Sequence, residues 1–568
     1  MDYVIGKIKK QILDLVEQAV GREIDKGQLE ITAPPESEMG DLALPCFYLS
    51  KLLRVSPNQI AAELKQKIKA DDLIKEVQNV GPYLNFFLDS ALLNQQILKE
   101  IASRGDQYGS QKFGQEKVMI EYSQPNTHKE FHIGHLRNAL LGSSLVNLYR
   151  FCGFKVVAAN YIGDVGAHVA KCLWALEKFH AKEELPENKG KYLGKIYTEA
   201  VRKVEDSEKF KQEADVVLQK LENGDEKWLT LWQKTRKWSL DEFNEIYKTL
   251  GIKFDNFFYE SEVEKPGKKI VEELLEKKVA EKSDGAIIID LEKYNLKKFL
   301  LLKSDGSSLY STKDLALAQL KFKKFKIKES ILVVDTRQNF YLQQLFKTLE
   351  VMGFKEKMAH IPYEFVTLKE GAMASRSGNV VLFEDFFEQI VAHAEKETIQ
   401  RHKNWPEKKI KAVAKKIALS AIKFNMLKVN NGSIIVFDID EALSFDGFSG
   451  PYLQYTLSRI SSVVKKAGVK SFGRIDYSKL NTDLEKELIL KLAEFPEAVR
   501  QAKNDNEPSV VTKYLFDLSR LFANFYQQAP ILASESGTRQ ARLVLLLAVR
   551  QVLGNGLALL GIEPMEQM

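Results

Sequence analysis

In the first twenty residues, MDYVIGKIKKQILDLVEQAV, apolar positions recur at helical spacing with charges between them. That spacing predicts an amphipathic helix over 2–20 rather than a secretory leader. A second helical pattern covers about 56–70, and the turn-rich ITAPPESEMGDLALP lies between the two. VGPYLNFFLD (80–89) reads as a strand dense in aromatics, followed by a helix over about 90–105. Residues 1–112 are therefore expected to form a small α/β domain.

From Lys117 the pattern changes. VMIEYS (118–123) is a short apolar run with a polar end, as in a strand buried in a parallel sheet. The loop QPNTHKEF, a helix from about Ile133 to Cys152 and a strand in FKVVAANYIGD (154–164) follow. Strand, loop, helix and strand make a βαβ unit, which implies a right-handed crossover and a doubly wound, Rossmann-type parallel sheet. Residues 165–265 are mostly helical and charged, so an insertion is expected over about 175–265. GAIIIDL and KKFLLLKSDG read as two strands, and ILVVD (331–335), a helix to about Met352 and YEFVTL (363–368) resume the parallel pattern. This central domain is expected to span 113–388. From about Phe383 helices dominate, which gives an all-helical C-terminal domain over 389–568.

Composition narrows the possibilities. The chain has 568 residues, 45% hydrophobic and 28% charged, as in a soluble protein of several domains. The net charge of +6 excludes a histone-like or polybasic chain. It conceals one basic segment: residues 396–428 hold ten Lys/Arg against Glu397 and Glu407, a local +8. Such a run is either a solvated helix face or a phosphate-binding surface. Three cysteines, Cys46, Cys152 and Cys172, supply neither an all-cysteine zinc site nor a disulfide framework, so a cytoplasmic, reducing compartment is expected. The longest aliphatic run, Leu543 to Val549, lies between Arg542 and Arg550 and is too short to span a bilayer, so no membrane partner is expected.

Chemistry concentrates at the start of the central domain. Of eight histidines, three fall at 128, 132 and 135, and the last two form His132-Ile133-Gly134-His135. By composition that spacing arises by accident in roughly one such chain in 160. It opens a helix directly after a sheet strand, where backbone N–H groups and the helix dipole favour phosphate. Two imidazoles there can donate hydrogen bonds to a triphosphate as charge moves during attack on its α-phosphorus, and Gly134 lets a nucleotide lie against the backbone.

EYSQPNTHKEFHIGHLRNALLGSSL and NYIGDVGAH resemble the nucleotide-binding signature of class I aminoacyl-tRNA synthetases, and in detail that of the arginyl-tRNA synthetases. That family shows S-P-N-x-x-K-x-x-H-x-G-H-x-R-N and then N-Y-x-G-D-x-G; here Gln124 replaces the serine. The resemblance implies that His132, Gly134 and His135 contact ATP and that the two histidines stabilise the adenylation transition state. The second signature loop corresponds to AMASRSGN (372–379), a degraded form with Met373, Ser375 and a single cation, Arg376. Lys129, just upstream of H-x-G-H, is implied to share the neutralisation of the triphosphate.

A site for free arginine needs carboxylates and neutral acceptors arranged around a planar guanidinium. SDGSSLYSTKDLALAQL (304–320) resembles the family's S-D-G-x-x-x-Y-x-T-R-D-x-A, with Lys313 in place of arginine. The resemblance places Tyr310 and Asp314, four apart on a helix's first turn, at the guanidinium. Glu121 is a second acidic candidate, Asn126 would hold the α-amino or carboxylate end, and Gln338 matches a family glutamine near the same pocket.

The implied reaction has two steps: L-arginine and ATP give arginyl-adenylate, and the terminal adenosine of tRNA(Arg) then takes the aminoacyl group. Mg²⁺ would accompany the triphosphate. The resemblance also implies that tRNA is needed for the first step. FDGFSGPYLQYTLSRISSVVKK (445–466) and the segment 541–568 resemble the family's helical anticodon-binding domain. Tyr452, Tyr455 and Arg459 are candidates to stack on bases, although both tyrosines equally suit the core of a bundle. In the N-terminal domain, Tyr83 and Asn85 of GPYLNFFLD occupy positions implied to meet the corner of the tRNA, with core packing the competing reading. Lys408 and Lys409 are candidates for phosphate contact. A monomer is expected. A cysteinyl enzyme would need zinc, a free-standing nucleotidyltransferase would not need the flanking domains, and a catalytically dead paralogue is disfavoured by the intact His132, His135, Tyr310 and Asp314.

Overall fold

Five parallel strands organise the centre of the molecule, seen here in a computed structural model that describes residues 3–369, 381–469 and 472–568. Their spatial order is Lys357–Tyr363, Glu329–Asp335, Lys117–Glu121, Lys155–Ile162 and Asn256–Tyr259. Every pairing between neighbours is parallel. Along the chain, the order runs outward in one direction from Lys117–Glu121 and then jumps back to its other side. This is the doubly wound arrangement, with its switch point between Lys117–Glu121 and Glu329–Asp335. In such sheets the ligand crevice opens at the carboxyl ends of the strands flanking that point.

The helix Ile133–Phe151 crosses from the first strand to the second. It is buried on nearly every face, because the sheet packs on one side and C-terminal helices on the other. Gly142 permits that closeness: a Cβ there would collide with the ring of Tyr122.

Two sheet strands differ from the pattern reading. Asn256–Tyr259 lies inside the stretch expected to be a helical insertion, yet it pairs with Ala159–Ile162 as the sheet's last strand. At four residues between charged helices, it carries too little periodicity to stand out. YEFVTL divides: Tyr363 ends the strand Lys357–Tyr363, whereas Val366–Leu368 pairs in parallel with Ile435–Phe437. The helices Ala167–Phe179, Lys189–Glu205, Glu208–Glu222 and Glu226–Leu250 do form an insertion, with Trp174, Leu193, Ile196 and Trp228 in a core of their own.

The N-terminal domain is an antiparallel sheet of Leu42–Pro45, Tyr83–Leu88 and Ile74–Val80 with helices packed against it. The expected strand 80–89 is thus half of a hairpin turning at Gly81-Pro82. The domain docks on the C-terminal helices: Tyr108 Oη donates to Leu492 O (3.1 Å) and Gln111 Nε2 to Pro496 O (2.8 Å). The helix Ser536–Leu559 is long and apolar enough, by length and composition alone, to cross a membrane. Here its apolar residues form bundle core, and its buried Arg542 pairs with Glu485 at 2.6 Å.

Candidate active site

The helix Ile133–Phe151 starts at the switch point, and its first residues cap one another. His132 Nδ1 accepts from the Gly134 N–H (3.1 Å), and His135 Nδ1 accepts from the His132 N–H (3.3 Å). The rings stack with centroids 3.8 Å apart. With both Nδ1 atoms accepting, each neutral ring carries its proton on Nε2. Burial, assisted by the charges of Arg337 and Lys129, pushes the His132 imidazolium down to about 4. Burial, then His132 and Lys129, holds His135 well below its usual range. Both rings are therefore neutral at physiological pH, and each offers one Nε2–H donor.

Gly134 has a role the sequence did not show. A Cβ on it would come within 2.9 Å of His132 Cε1, so the glycine makes room for the histidine ring. His128 leaves the cluster: its buried ring lies between Thr127 Oγ1 (3.0 Å) and Thr235 Oγ1 (2.8 Å), tying the loop to the insertion. Lys129 stays near both site histidines, with its ammonium 5.3 Å from the Tyr197 ring centroid.

Residues 370–380, with Met373, Ser375 and Arg376, lie outside the described residues. The segment that follows them is anchored at the histidine pair: Ile133 N donates to Val381 O (3.1 Å) and Phe383 N to Phe131 O (2.9 Å).

A cavity of about 430 Å³ opens at the carboxyl edge of the sheet, and Arg337 on its wall is near enough for its charge to act on His132. Glu121, Asn126, Tyr310, Asp314 and Gln338, all singled out from the sequence, line it together. Four different segments deliver them. Glu121 ends the first strand, Tyr310 and Asp314 sit on the first turn of the helix Tyr310–Phe325, and Gln338 closes the turn after Glu329–Asp335. Asn126 is bridged to Gly163, where a Cβ would collide with its Oδ1, so the glycine of NYIGDVG holds this loop close.

The carboxylates of the cavity are not equivalent. Glu121 is matched by Lys321 at 2.7 Å, with both side chains 1% exposed. Gln124 Nε2 also donates to Glu121 Oε1 (3.0 Å), so the residue that departs from the family serine steadies this acid. Glu260 is matched by Lys313 at 2.6 Å. Asp314 has no cation partner among the described residues; its Oδ2 accepts from Tyr341 Oη at 2.6 Å. Burial pushes the Asp314 carboxyl up to about 7; the Tyr341 hydrogen bond and Lys321 oppose this, and Glu121 and Glu260 add to it. A buried acid near neutrality, with no counter-ion, suits an incoming cation.

Several site residues escaped the sequence reading. Tyr341, Glu260, Lys321 and Tyr161 all line this cavity, as does Arg337, which makes a two-point pair with Asp335 (2.7 and 2.8 Å). Only Arg337 had a signal, in the cluster DTRQ beside the matched Gln338. The others are a tyrosine, a lysine and an acid on ordinary helices, and a tyrosine on a strand.

The candidates for tRNA contact lie on the other two domains. Tyr83 is exposed and meets exposed Phe47 edge to face, centroids 5.9 Å apart. Asn85, two residues on, is buried. Tyr452 and Tyr455 are half-buried; Tyr452 packs on Phe516, and Arg459 Nη2 donates to Tyr455 Oη at 2.6 Å. Lys408 is exposed, whereas Lys409 covers Trp405 and donates to Gln567 Oε1 at 2.9 Å.

Comparison with known proteins follows the same division. Residues 97–439 match the family described as tRNA synthetases class I (R), catalytic domain, which sets the class. Residues 453–568 match the DALR anticodon binding domain, and residues 6–88 match the arginyl tRNA synthetase N terminal domain. The arginine–tRNA ligase of Bdellovibrio bacteriovorus is 38% identical over 574 residues, covering 98% of each chain. That of Clostridium perfringens is 37% identical and covers 100% of both. The solved arginyl-tRNA synthetase of Thermus thermophilus superposes with a TM-score of 0.82 at 28% identity, covering 99% of this chain and 100% of that one. The chain belongs to the arginyl-tRNA synthetase family.

Proposed function

We propose that this protein is an arginine–tRNA ligase that activates L-arginine with ATP and passes it to the terminal adenosine of tRNA(Arg). One observation carries the reading of the site: Asp314, an acid with no counter-ion among the described residues, shares a cavity with neutral acceptors and with Arg337, whose charge acts on the neutral His132 at a helix N-terminus. The carboxylate and the Tyr310 side accept the guanidinium. Asn126 and Gln338 take the polar α-end of the amino acid. Glu121, already matched by Lys321, shapes the wall rather than supplying free charge.

The nucleotide lies over the start of the helix Ile133–Phe151. His132 and His135 donate through Nε2 to the phosphates as negative charge moves from the α-phosphorus onto the departing pyrophosphate. Lys129 adds the nearby positive charge, as Arg376 and the 372–379 segment do in the sequence reading. The arginine carboxylate attacks, the α–β phosphate bond breaks, and pyrophosphate leaves. No protein acid or base need gain a proton, so alignment and charge stabilisation carry the rate. Mg²⁺ accompanies the triphosphate; among the described residues no group of three or more His, Cys, Asp or Glu side chains gathers that could hold a metal.

The tRNA is held at its corner by the surface around Tyr83 and at its anticodon by the helices carrying Tyr452, Tyr455 and Arg459. The enzyme works as a cytoplasmic monomer. ATP–pyrophosphate exchange with each standard amino acid, with and without total tRNA, tests the assignment. The expected result is exchange with arginine alone, and only when tRNA is present. Exchange with another amino acid defeats the reading.

A further inference from the structure

Three carboxylates line the cavity, and two have lysines of their own: Glu121 with Lys321 and Glu260 with Lys313. Asp314 is held by a neutral group, the Tyr341 hydroxyl, at 2.6 Å. Tyr341 comes from the next helix, Asn339–Val351, three residues past Gln338, and its ring is fixed against Phe299 with centroids 5.6 Å apart. A second phenol, Tyr161 on the strand Lys155–Ile162, also lines the cavity, but its buried hydroxyl has no hydrogen-bond partner among the described residues. Among the described residues, Tyr341 is therefore the side chain that fixes the Asp314 carboxylate.

We propose that Tyr341 is the positioning residue for arginine capture: its hydroxyl aims the Asp314 carboxylate into the cavity and sets how acidic the solution can become before arginine is released. This rests on the reading of Asp314 as the guanidinium partner.

The charges around Asp314 come from every element packed on it. Glu121 faces it from the strand Lys117–Glu121, Glu260 from the helix Glu260–Glu276, and Lys321 from its own helix, with Tyr161 and Tyr310 nearby. Burial disfavours the ionised form, and the two glutamates do the same. The Tyr341 hydrogen bond and Lys321 oppose them. A donor to a carboxylate stabilises its ionised form. Without this donor, the carboxyl protonates at higher pH and is free to turn from the cavity.

The test is ATP–pyrophosphate exchange with total tRNA, measured from pH 6 to 9 on the full chain with Tyr341→Phe. We expect the KM for arginine to rise about tenfold at neutral pH, as for loss of a hydrogen bond to a charged group. The pH at which arginine KM begins to climb should move up by about one pH unit, while ATP KM stays unchanged. Ring-fluorinated tyrosine at position 341, a stronger donor of nearly the same shape, should move that pH downward and guards against a folding defect. An unmoved pH profile in both variants, or an equal rise in ATP KM, overturns the proposal. Asp314→Asn separates the two layers. If it leaves arginine KM unchanged, the guanidinium assignment itself fails; if it raises KM while neither change at 341 moves the profile, only the role of Tyr341 fails.

Discussion

The acid-lined cavity and the basic segment 396–428 treat charge in opposite ways. In the cavity, two of three carboxylates are neutralised by buried lysines, and the third is left with a neutral donor. The cavity is nearly balanced, yet it keeps one site for a cation. The basic segment has a large excess, and six of its ten cations are engaged by other groups of the protein. Lys411 pairs with Glu407 (2.6 Å), Lys416 with Glu563, and Lys428 with Glu441, while Lys423 is buried against Gly561 O. Lys409 lies over Trp405, and Arg401 stacks on Phe445 with its guanidinium carbon 4.0 Å from the ring centroid. Lys396, Lys403, Lys408 and Lys415 remain exposed, with no ion pair among the described residues. The number of charges in a stretch of chain therefore says little about ligands; what matters is which charges the fold leaves without partners.

The largest test of this contrast removes the two imidazole donors, His132 and His135. His132→Ala or His135→Ala should lower adenylation by about 10²–10³-fold, as for loss of an oxyanion donor, while equilibrium binding of arginine largely survives. Equal loss of arginine binding would make the pair structural. Next, Asp314→Asn should raise the KM for arginine by about 10²-fold, the scale of a charge-assisted hydrogen bond, and leave the KM for ATP nearly unchanged.

A pH titration of the unaltered protein sharpens the same point. The Asp314 carboxyl of the free cavity titrates near 7, and guanidinium favours its ionised form. Arginine binding should therefore release protons below pH 7, and affinity should fall as the pH drops through that value, approaching about tenfold per pH unit. Calorimetry in buffers of different ionisation enthalpy reads the proton directly; no proton release between pH 6 and 7 would contradict an uncompensated Asp314. The smallest effect belongs to the basic segment. Replacing Lys408 and Lys415 with alanine should reduce the salt slope of tRNA binding by about one to two, whereas replacing Lys411 and Lys416 should change it less. Equal slopes for the two pairs would show that internal pairing does not decide which lysines meet phosphate.

Much of the fold was legible because it repeats simple periods. The βαβ unit from Lys117 to Ile162 and the C-terminal helices are long and strongly patterned. Asn256–Tyr259 was lost because four residues carry almost no period, and the hairpin Ile74–Leu88 because its first strand alternates weakly. The site divides in the same way. The motifs named five residues that line the cavity, Glu121, Asn126, Tyr310, Asp314 and Gln338. Tyr341, Glu260 and Lys321, which line it too, were not named, because each is placed there by a partner 27 to 200 positions away along the chain.

The sequence by itself determined the family, the helix that presents His132 and His135, and the set of residue types needed around a guanidinium. Those features are local: a spacing along one helix or the end of one strand suffices to state them. Tertiary structure alone decided the electrical state of the site. Burial makes both histidines neutral, Lys321 takes the charge of Glu121, and Asp314 is left near its titration point, held among the described residues by Tyr341. These outcomes depend on desolvation and on contacts between strands and helices distant in sequence, and no pattern along the chain encodes either.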